Sequence, residues 1–192
     1  PKRQALVYVN RRLVIEKILQ KGLSMIDLYS WATSNGQKVS IALEELGVAY
    51  NLNLVNISAG DQFAPSFLAF SPNNRIPAII DHAGPNNQRI SLFESGAILL
   101  YLAEKTGQLL PRDPRARVDV MQWLMWQISG FGPMLGQAHH FSIQSSQKST
   151  YGKKRYYKEA NRLYGVLNRR LADQKFVAGG MLSVADIAIF PW

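Results

Sequence analysis

Apolar and polar positions alternate along Met25-Ile-Asp-Leu-Tyr29 and again along Tyr50-Asn-Leu-Asn-Leu-Val55, the period of strands with one buried face. Between them the spacing changes. Val39, Ala42, Leu43 and Leu46 recur at i, i+3, i+4 and i+7, one face of a helix that Thr33-Ser-Asn-Gly36 opens and Gly47 ends. Residues 56–75, rich in Gly, Pro, Ser and Asn, predict a long loop with at most short irregular helix. Ile76-Pro-Ala-Ile-Ile80 and Arg89-Ile-Ser-Leu-Phe93 predict two more strands. The turn between them, over 81–88, is marked by Gly84, Pro85 and two asparagines. Glu94-Ser95-Gly96 then opens a helix through Ile98, Leu99 and Leu102. Strand, helix, strand, loop, strand, strand, helix makes residues 25–106 an α/β block.

Residues 107–115, with Pro111 and Pro114, read as a linker, and beyond them the pattern is helical throughout. Val118 to Ile128 is apolar on nearly every side (Met121, Trp123, Leu124, Met125, Trp126), which predicts a buried helix. Tyr156, Ala160, Leu163, Tyr164, Leu167 and Leu171 form an amphipathic stripe, with Arg155, Lys158, Arg162 and Arg169 on the other face. Ser183-Val-Ala-Asp186 is a helix-opening box before an apolar run. That run stops at Trp192 after about two turns, so the helical domain at 116–192 is expected to be incomplete at its C-terminal end. Residues 1–24 form a separate basic arm with some helical periodicity (Leu13, Ile15, Ile18, Leu19).

Composition narrows the function classes. At 47% apolar and 18% charged, the 192 residues can bury a core. The absence of cysteine removes disulfides, thiolate metal sites and any thiol chemistry carried by the chain itself. No run of about 18 apolar residues predicts a membrane span, and the arm lacks a secretory pattern, so the cytoplasm is the default. The net charge of +9 is concentrated in the arm and in residues 148–170. Such a segment suits a phosphate backbone, and equally the solvated face of a helix. Because Tyr156 and Tyr164 fall on the apolar stripe, the reading favours core packing over base stacking, and nucleic acid is not an expected partner. His139 and His140 point about 100° apart on a helix and cannot chelate together, and His82 is distant in sequence, so no metal is expected. Tyr29 reads as a core residue.

Six motifs occur in order: Thr33-Ser-Asn-Gly36, Gly60-Asp-Gln-Phe63, Ser71-Pro-Asn-Asn-Arg-Ile-Pro77, Leu92-Phe-Glu-Ser-Gly-Ala-Ile-Leu-Leu-Tyr-Leu-Ala103, Gly132-Pro-Met-Leu-Gly136 and Ser183-Val-Ala-Asp186. Together they resemble the glutathione transferase superfamily over residues 25–192, in particular its bacterial nu-class members with disulfide-bond reductase activity. The resemblance implies a thioredoxin-like N-terminal domain, an all-helical C-terminal domain, glutathione as cosubstrate and a homodimer. It also implies a cis peptide before Pro77 and an exposed backbone at Ile76 that pairs with glutathione as an added strand.

The same resemblance assigns the binding residues. Glu94 and Ser95, at a helix start, suit the ammonium and carboxylate of the γ-glutamyl end. Gln62 and Arg75 flank the same cleft, Arg75 offering a cation to the glycyl carboxylate. Arg155 aligns with a family arginine that reaches glutathione. Thr33, Ser34 and Asn35 lie where a donor can stabilise the thiolate. Moving a thiol pKa from about 8.5 to about 6.5 takes roughly 2.7 kcal/mol, within reach of one charge-assisted hydrogen bond and a helix end. Ser34 stands where close relatives have proline and offers a competing hydroxyl. From position alone, the residues at both helix starts fit plain capping as well, Pro77 a simple turn, and Arg155 a surface arginine. The expected activity is thiol–disulfide exchange carried by glutathione, on a small disulfide or an electrophile. A glutathione-binding regulatory or structural module is the alternative. The arm at 1–24 is expected to be dispensable for binding.

Overall fold

The computed structural model describes residues 26–192, so the expectations for the arm at 1–24 lie outside the described residues. The described chain forms two compact units, one of residues 26–32 with 43–94, the other of 33–42 with 95–192.

The first unit is built on a four-stranded sheet of β1 (Ile26–Ser30), β2 (Tyr50–Leu54), β3 (Ala78–Asp81) and β4 (Ile90–Phe93), in the order β2-β1-β3-β4. β1 and β2 run parallel with Ile26 opposite Tyr50. β3 is antiparallel to β1, with Leu28 opposite Ile79, and to β4, with Ile79 opposite Leu92. A parallel pair needs a crossover, and the intervening chain supplies α1 (Ser34–Glu45). The topology is thioredoxin-like, as the resemblance implies. β1 buries Ile26, Leu28 and Ser30 and leaves Asp27 and Tyr29 half-buried, the predicted alternation, while β3 is buried at every position.

Two short turns occupy the predicted loop: a 3-10 turn at Asp61–Phe63 and α2 (Pro65–Leu68). They deliver Phe67 and Phe70 to a cluster with Tyr29, Val55, Ile76 and Ala78. The ring centroids of Tyr29 and Phe70 are 4.6 Å apart, those of Phe67 and Phe70 5.2 Å. Burial of Phe67 alone contributes about 2 kcal/mol, and the cluster anchors the loop that leads into β3. The strand itself starts later than the sequence predicts. Ile76 and Pro77 lie outside it and the ladder opens at Ala78, because proline has no N–H to give a ladder. In the β3–β4 turn, the Gly84 N–H donates to the Gln88 carbonyl at 2.9 Å. A Cβ on Gly84 would sit 2.7 Å from that oxygen, which is why glycine stands there.

The second unit is helical: the first part of α1, then α3 (Ser95–Thr106), α4 (Pro114–Trp126), α5 (Gly132–His139), α6 (Thr150–Leu171) and α7 (Val184–Ile189). Two wide π turns, Gln127–Phe131 and His140–Gln144, bracket α5. α3 buries the predicted Ile98, Leu99 and Leu102. α4 departs from expectation. It buries only Val120 and Leu124, while Val118 is 66% and Met125 45% exposed. A helix buried all round needs neighbours on every side, and α4 presents one seam to α7 and the following turn. Its remaining bulk is used laterally: Trp123 meets Trp126 edge-on at 5.1 Å, and the Arg170 guanidinium lies over the Trp123 ring. At α7 the predicted box is formed. Ser183 accepts from the backbone of its own first turn, and Asp186 accepts from the Ser183 N–H and hydroxyl and from the Val177 N–H.

No helix among the described residues is long and apolar enough to cross a membrane.

Candidate functional site

In the sheet unit, the loop Ser71–Pro77 braces itself. The Ser71 side chain is fully buried, and its hydroxyl donates to the Arg75 carbonyl at 3.0 Å, while Asn74 turns the chain with a φ of 46°. This leaves the Arg75 side chain in solvent and carries the backbone into the cis Ile76–Pro77 bond. Ile76 packs its side chain on the aromatic cluster, and its backbone stands just beyond the β3 pairings. A peptide laid along it would continue the sheet.

Glu94 ends β4 in the left-handed region, at φ 69°, a conformation uncommon outside glycine and seen at functional positions. Its carboxylate accepts from the Asn73 amide at 3.2 Å. Asn73 belongs to the Ser71–Pro77 motif, where the sequence alone gives it no role, and the Asn-Asn pair at 73–74 is the signal that marks it. Gln62 sits in the 3-10 turn, and its Oε1 is buried without a hydrogen-bond partner among the described residues. A buried orphan of this kind costs about 1–3 kcal/mol unless a ligand or water meets it. Gln62 thus presents a buried acceptor suited to a group bearing an N–H.

Tyr29 takes no part. Burial pushes its phenol pKa up, with the Asp27 carboxylate adding to the effect, and its ring packs on Phe67 and Phe70. It is a core residue, as expected.

In the helical unit, Thr33 caps α1. Its hydroxyl accepts from the Gly36 N–H at 3.2 Å and its carbonyl from the Gln37 N–H at 2.9 Å. The capping reading of Thr33 is therefore realised. It leaves the backbone N–H groups of Ser34 and Asn35, the first two helical residues, without an intrahelical acceptor, the normal condition of a helix start. The Asn35 side chain has no hydrogen bond among the described residues. These are donors suited to an anion. Ser95 is the first residue of α3 and is buried at 7% exposure. Gly96 follows it because a Cβ there would come within 3.0 Å of Ile128.

Arg155 stands exposed on α6 and lines a cavity of about 490 Å³ with Met134, Tyr156, Lys158, Glu159 and Arg162. Arg155, Lys158 and Arg162 follow at i, i+3 and i+7 on one helix face. Arg162 grips Glu159 with two hydrogen bonds, at 2.7 and 2.8 Å, and that grip holds the Glu159 carboxyl below the usual range. Tyr156 stacks on Phe141, the packing role the stripe predicts. Among the described residues no group of three His, Cys, Asp or Glu side chains is placed to hold a metal ion.

A thioredoxin-like sheet followed in the chain by helices, with an N-capping box at the start of α7, is the glutathione transferase architecture. The chain belongs to the glutathione S-transferase family: residues 24–104 match its N-terminal domain and residues 131–192 its C-terminal domain. Among relatives it is similar to the disulfide-bond oxidoreductase YfcG of Escherichia coli K12, 52% identical over 169 residues that cover 88% of this chain and 79% of that protein. Among solved structures it is similar to a glutathione transferase from Pseudomonas putida with one glutathione disulfide bound per subunit. The TM-score is 0.85 and the identity 49%, covering 88% of this chain and 74% of that one. A family member from Pseudomonas fluorescens Pf-5 with two glutathione bound gives a TM-score of 0.85 and 48% identity, over 88% of this chain and 75% of that one.

Proposed function

We propose that the chain is a glutathione-dependent disulfide-bond reductase, with conjugation of electrophiles as a lesser activity. The observation that carries this reading is the start of α1. The Ser34 and Asn35 backbone donors and the Asn35 amide are open to an anion there, in 192 residues that contain no cysteine. The thiolate must come with the ligand. Glutathione supplies it: its sulfur attacks one sulfur of the disulfide while the other leaves as thiolate, and a second glutathione releases the mixed disulfide as glutathione disulfide. A relative named a disulfide-bond oxidoreductase, and neighbours with glutathione disulfide or two glutathione bound, support glutathione as the thiol.

The chain's own groups then have separate duties. Asn35, with Thr33 and Ser34 at the helix start, holds the sulfur as thiolate. Ile76, ahead of Pro77, offers its backbone to the cysteinyl part of the peptide. Gln62, Glu94 and Ser95 take the γ-glutamyl end, and Arg75 the glycyl carboxylate. Arg155 holds a carboxylate of the second glutathione. We further infer a homodimer in the cytoplasm. Large apolar side chains exposed on the sheet unit support association, among them Leu52 at 53%, Leu54 at 67% and Phe63 at 59%. The cytosolic glutathione pool is the reductant this chemistry needs.

The test is steady-state reduction of a small disulfide at varied glutathione, with Asn35→Ala and Arg155→Ala beside the wild type. The rate should rise with more than the first power of glutathione below saturation, and both variants should be slower. Wild-type rates in both, or good conjugation of an aryl halide with no disulfide reduced, would defeat the reading. Tight glutathione binding without turnover would favour a regulatory module.

A further inference from the structure

In the helical unit's cavity of about 490 Å³ the charges are unevenly matched. Its charged lining comes from α6 alone: the cations Arg155, Lys158 and Arg162, and the carboxylate of Glu159. Arg162 and Glu159 satisfy each other through two hydrogen bonds. Arg155 acts on Glu159 only through space. Neither Arg155 nor Lys158 makes a hydrogen bond or ion pair among the described residues. They follow at i and i+3 on one face, which sets their Cβ atoms about 5–6 Å apart. Met134 of α5 and the Tyr156 ring, stacked on Phe141, supply the apolar part of the lining. The cavity thus offers two uncommitted positive charges beside an apolar surface, with its carboxylate already engaged.

This arrangement bears on which disulfide is reduced, and it rests on the glutathione reading above. In the first exchange the glutathione thiolate attacks one disulfide sulfur and the S–S bond breaks. The far half leaves with the electron pair as a thiolate, and the near half stays joined to the bound glutathione. In the second exchange another glutathione thiolate attacks the glutathione sulfur, the near half leaves as thiolate, and glutathione disulfide remains. Two glutathione are oxidised, and one disulfide is reduced to two thiols that take up their protons from solvent. The mixed disulfide and the final one are both disulfides of the bound glutathione and differ only in their other half. A cavity that holds a carboxylate of the one therefore meets the substituent of the other. An uncharged substituent leaves Arg155 and Lys158 unmatched, and an ammonium is repelled by both. Carboxylates form charge-assisted hydrogen bonds with them.

We propose that this cavity selects the disulfide: Lys158, beside Arg155, is a specificity-determining residue that favours small disulfides whose halves carry carboxylates. Glu159, by gripping Arg162, keeps a third cation out of use and so limits that preference. Lys158 and Glu159 both lie outside the predicted binding set.

The experiment measures kcat/KM at fixed glutathione for the symmetrical disulfides of mercaptosuccinate, mercaptopropionate, mercaptoethanol and cysteamine. Their halves carry two carboxylates, one, none, and an ammonium. Each value is divided by the rate of the uncatalysed reaction with glutathione at the same pH, which removes the intrinsic reactivity of the disulfide. Wild type is expected to rank them in that order. Lys158→Met should lower the ratio of the mercaptosuccinate value to the mercaptoethanol value by about two- to fivefold, the worth of one exposed ion pair. Lys158→Glu should lower it about tenfold or more, because attraction becomes repulsion, and Lys158→Arg should keep it. Glu159→Gln, which releases Arg162, should raise it. Arg169→Met, exposed on the same helix outside the cavity, serves as the charge control and should leave the ratio as in the wild type. A merely structural role for these side chains would lower all the values together and leave the ratio where it was. Wild-type values that do not follow charge overturn the proposal, as do an unmoved ratio in Lys158→Glu, a fall in Glu159→Gln, or an equal shift in Arg169→Met. A wild type that reduces none of the disulfides with glutathione defeats the functional reading and this inference with it. One that reduces them all without regard to charge defeats the inference alone.

Discussion

Asn73 holds Glu94 by a hydrogen bond of 3.2 Å from its side-chain amide to the carboxylate, across 21 residues of chain. The bond joins the Ser71–Pro77 loop to the residue that leaves β4 with φ 69°. If Glu94 receives the ammonium of glutathione, Asn73 aims it. Asn73→Ala is expected to weaken glutathione binding about three- to tenfold, roughly 0.7–1.4 kcal/mol, with little change in Tm because both groups are exposed. Calorimetric titration checks it. An unchanged affinity would leave Asn73 a surface amide.

Thr33, Ser34 and Asn35 are separable because the structure gives them different positions. Thr33 is the cap, so Thr33→Ala should cost about 1 kcal/mol of stability as well as any activity. Ser34 is the first helical residue, where proline is favoured. Ser34→Pro should therefore be neutral or stabilising by up to about 1 kcal/mol, and should retain disulfide reduction if Asn35 is the thiol partner. Asn35→Ala should keep Tm and lose about tenfold or more in kcat/KM. Loss of activity in Ser34→Pro with full activity in Asn35→Ala would move the thiol contact to Ser34.

Asp27 gives the sheet unit a pH dependence. Burial raises its pKa, but the bonds with His82 at 2.7 Å and Asn51 at 3.0 Å, with the nearby charges of His82 and Arg89, outweigh burial and leave it lowered. A carboxyl depressed on folding contributes stability that is complete above its unfolded value, about 3.9, and is lost as pH falls through its folded value. With the His82 side chain 47% exposed, the gain is modest, about 0.5–1 kcal/mol. Asp27→Asn should thus lower stability near neutrality by that amount, and the difference should close in acid. Urea unfolding at several pH values tests it. A gap that widens in acid would contradict the assignment.

Asp186 gathers the chain around the start of α7. Removing it strips the cap partner and the acceptor for the Val177 N–H together. Asp186→Ala should cost about 2–3 kcal/mol, a fall in Tm of about 4–12 °C at this chain length. Ser183→Ala, which loses the cap hydroxyl alone, should cost about half as much.

Local signals were legible where each residue acts through its own neighbourhood in the chain. The Val39, Ala42 and Leu43 face, the alternation of β1, and the Ser183 and Asp186 box all appear as read. The start of β3 was misplaced because the apolar run continues through Ile76 while the ladder depends on N–H groups that Pro77 lacks. The apolar composition of α4 predicts burial all round because composition cannot count a helix's neighbours, and Val118 and Met125 stay 66% and 45% exposed. Lys38 was invisible for a further reason. A lysine among polar residues in a helix pattern reads as solvated, yet Lys38 is 1% exposed and donates to Gln127, 89 residues away in a π turn that has no periodic signature. Asn73 and the strained Glu94 likewise follow from a contact between distant segments.

The cations on α6 bear on how quickly a ligand arrives as well as on how tightly it is held. Arg155, Lys158 and Arg162 share a cavity with one acidic side chain, Glu159. An open, positively charged concavity concentrates field lines and draws small anions toward it before any contact is made. Glutathione is a net anion near neutrality, and its thiolate more so. If α6 receives the second glutathione, as proposed, its encounter is guided over roughly one Debye length, about 8 Å at physiological ionic strength. Added salt should slow capture of the second glutathione while leaving its rate of escape nearly constant, so that in strong salt the second encounter, and not the chemistry, limits turnover.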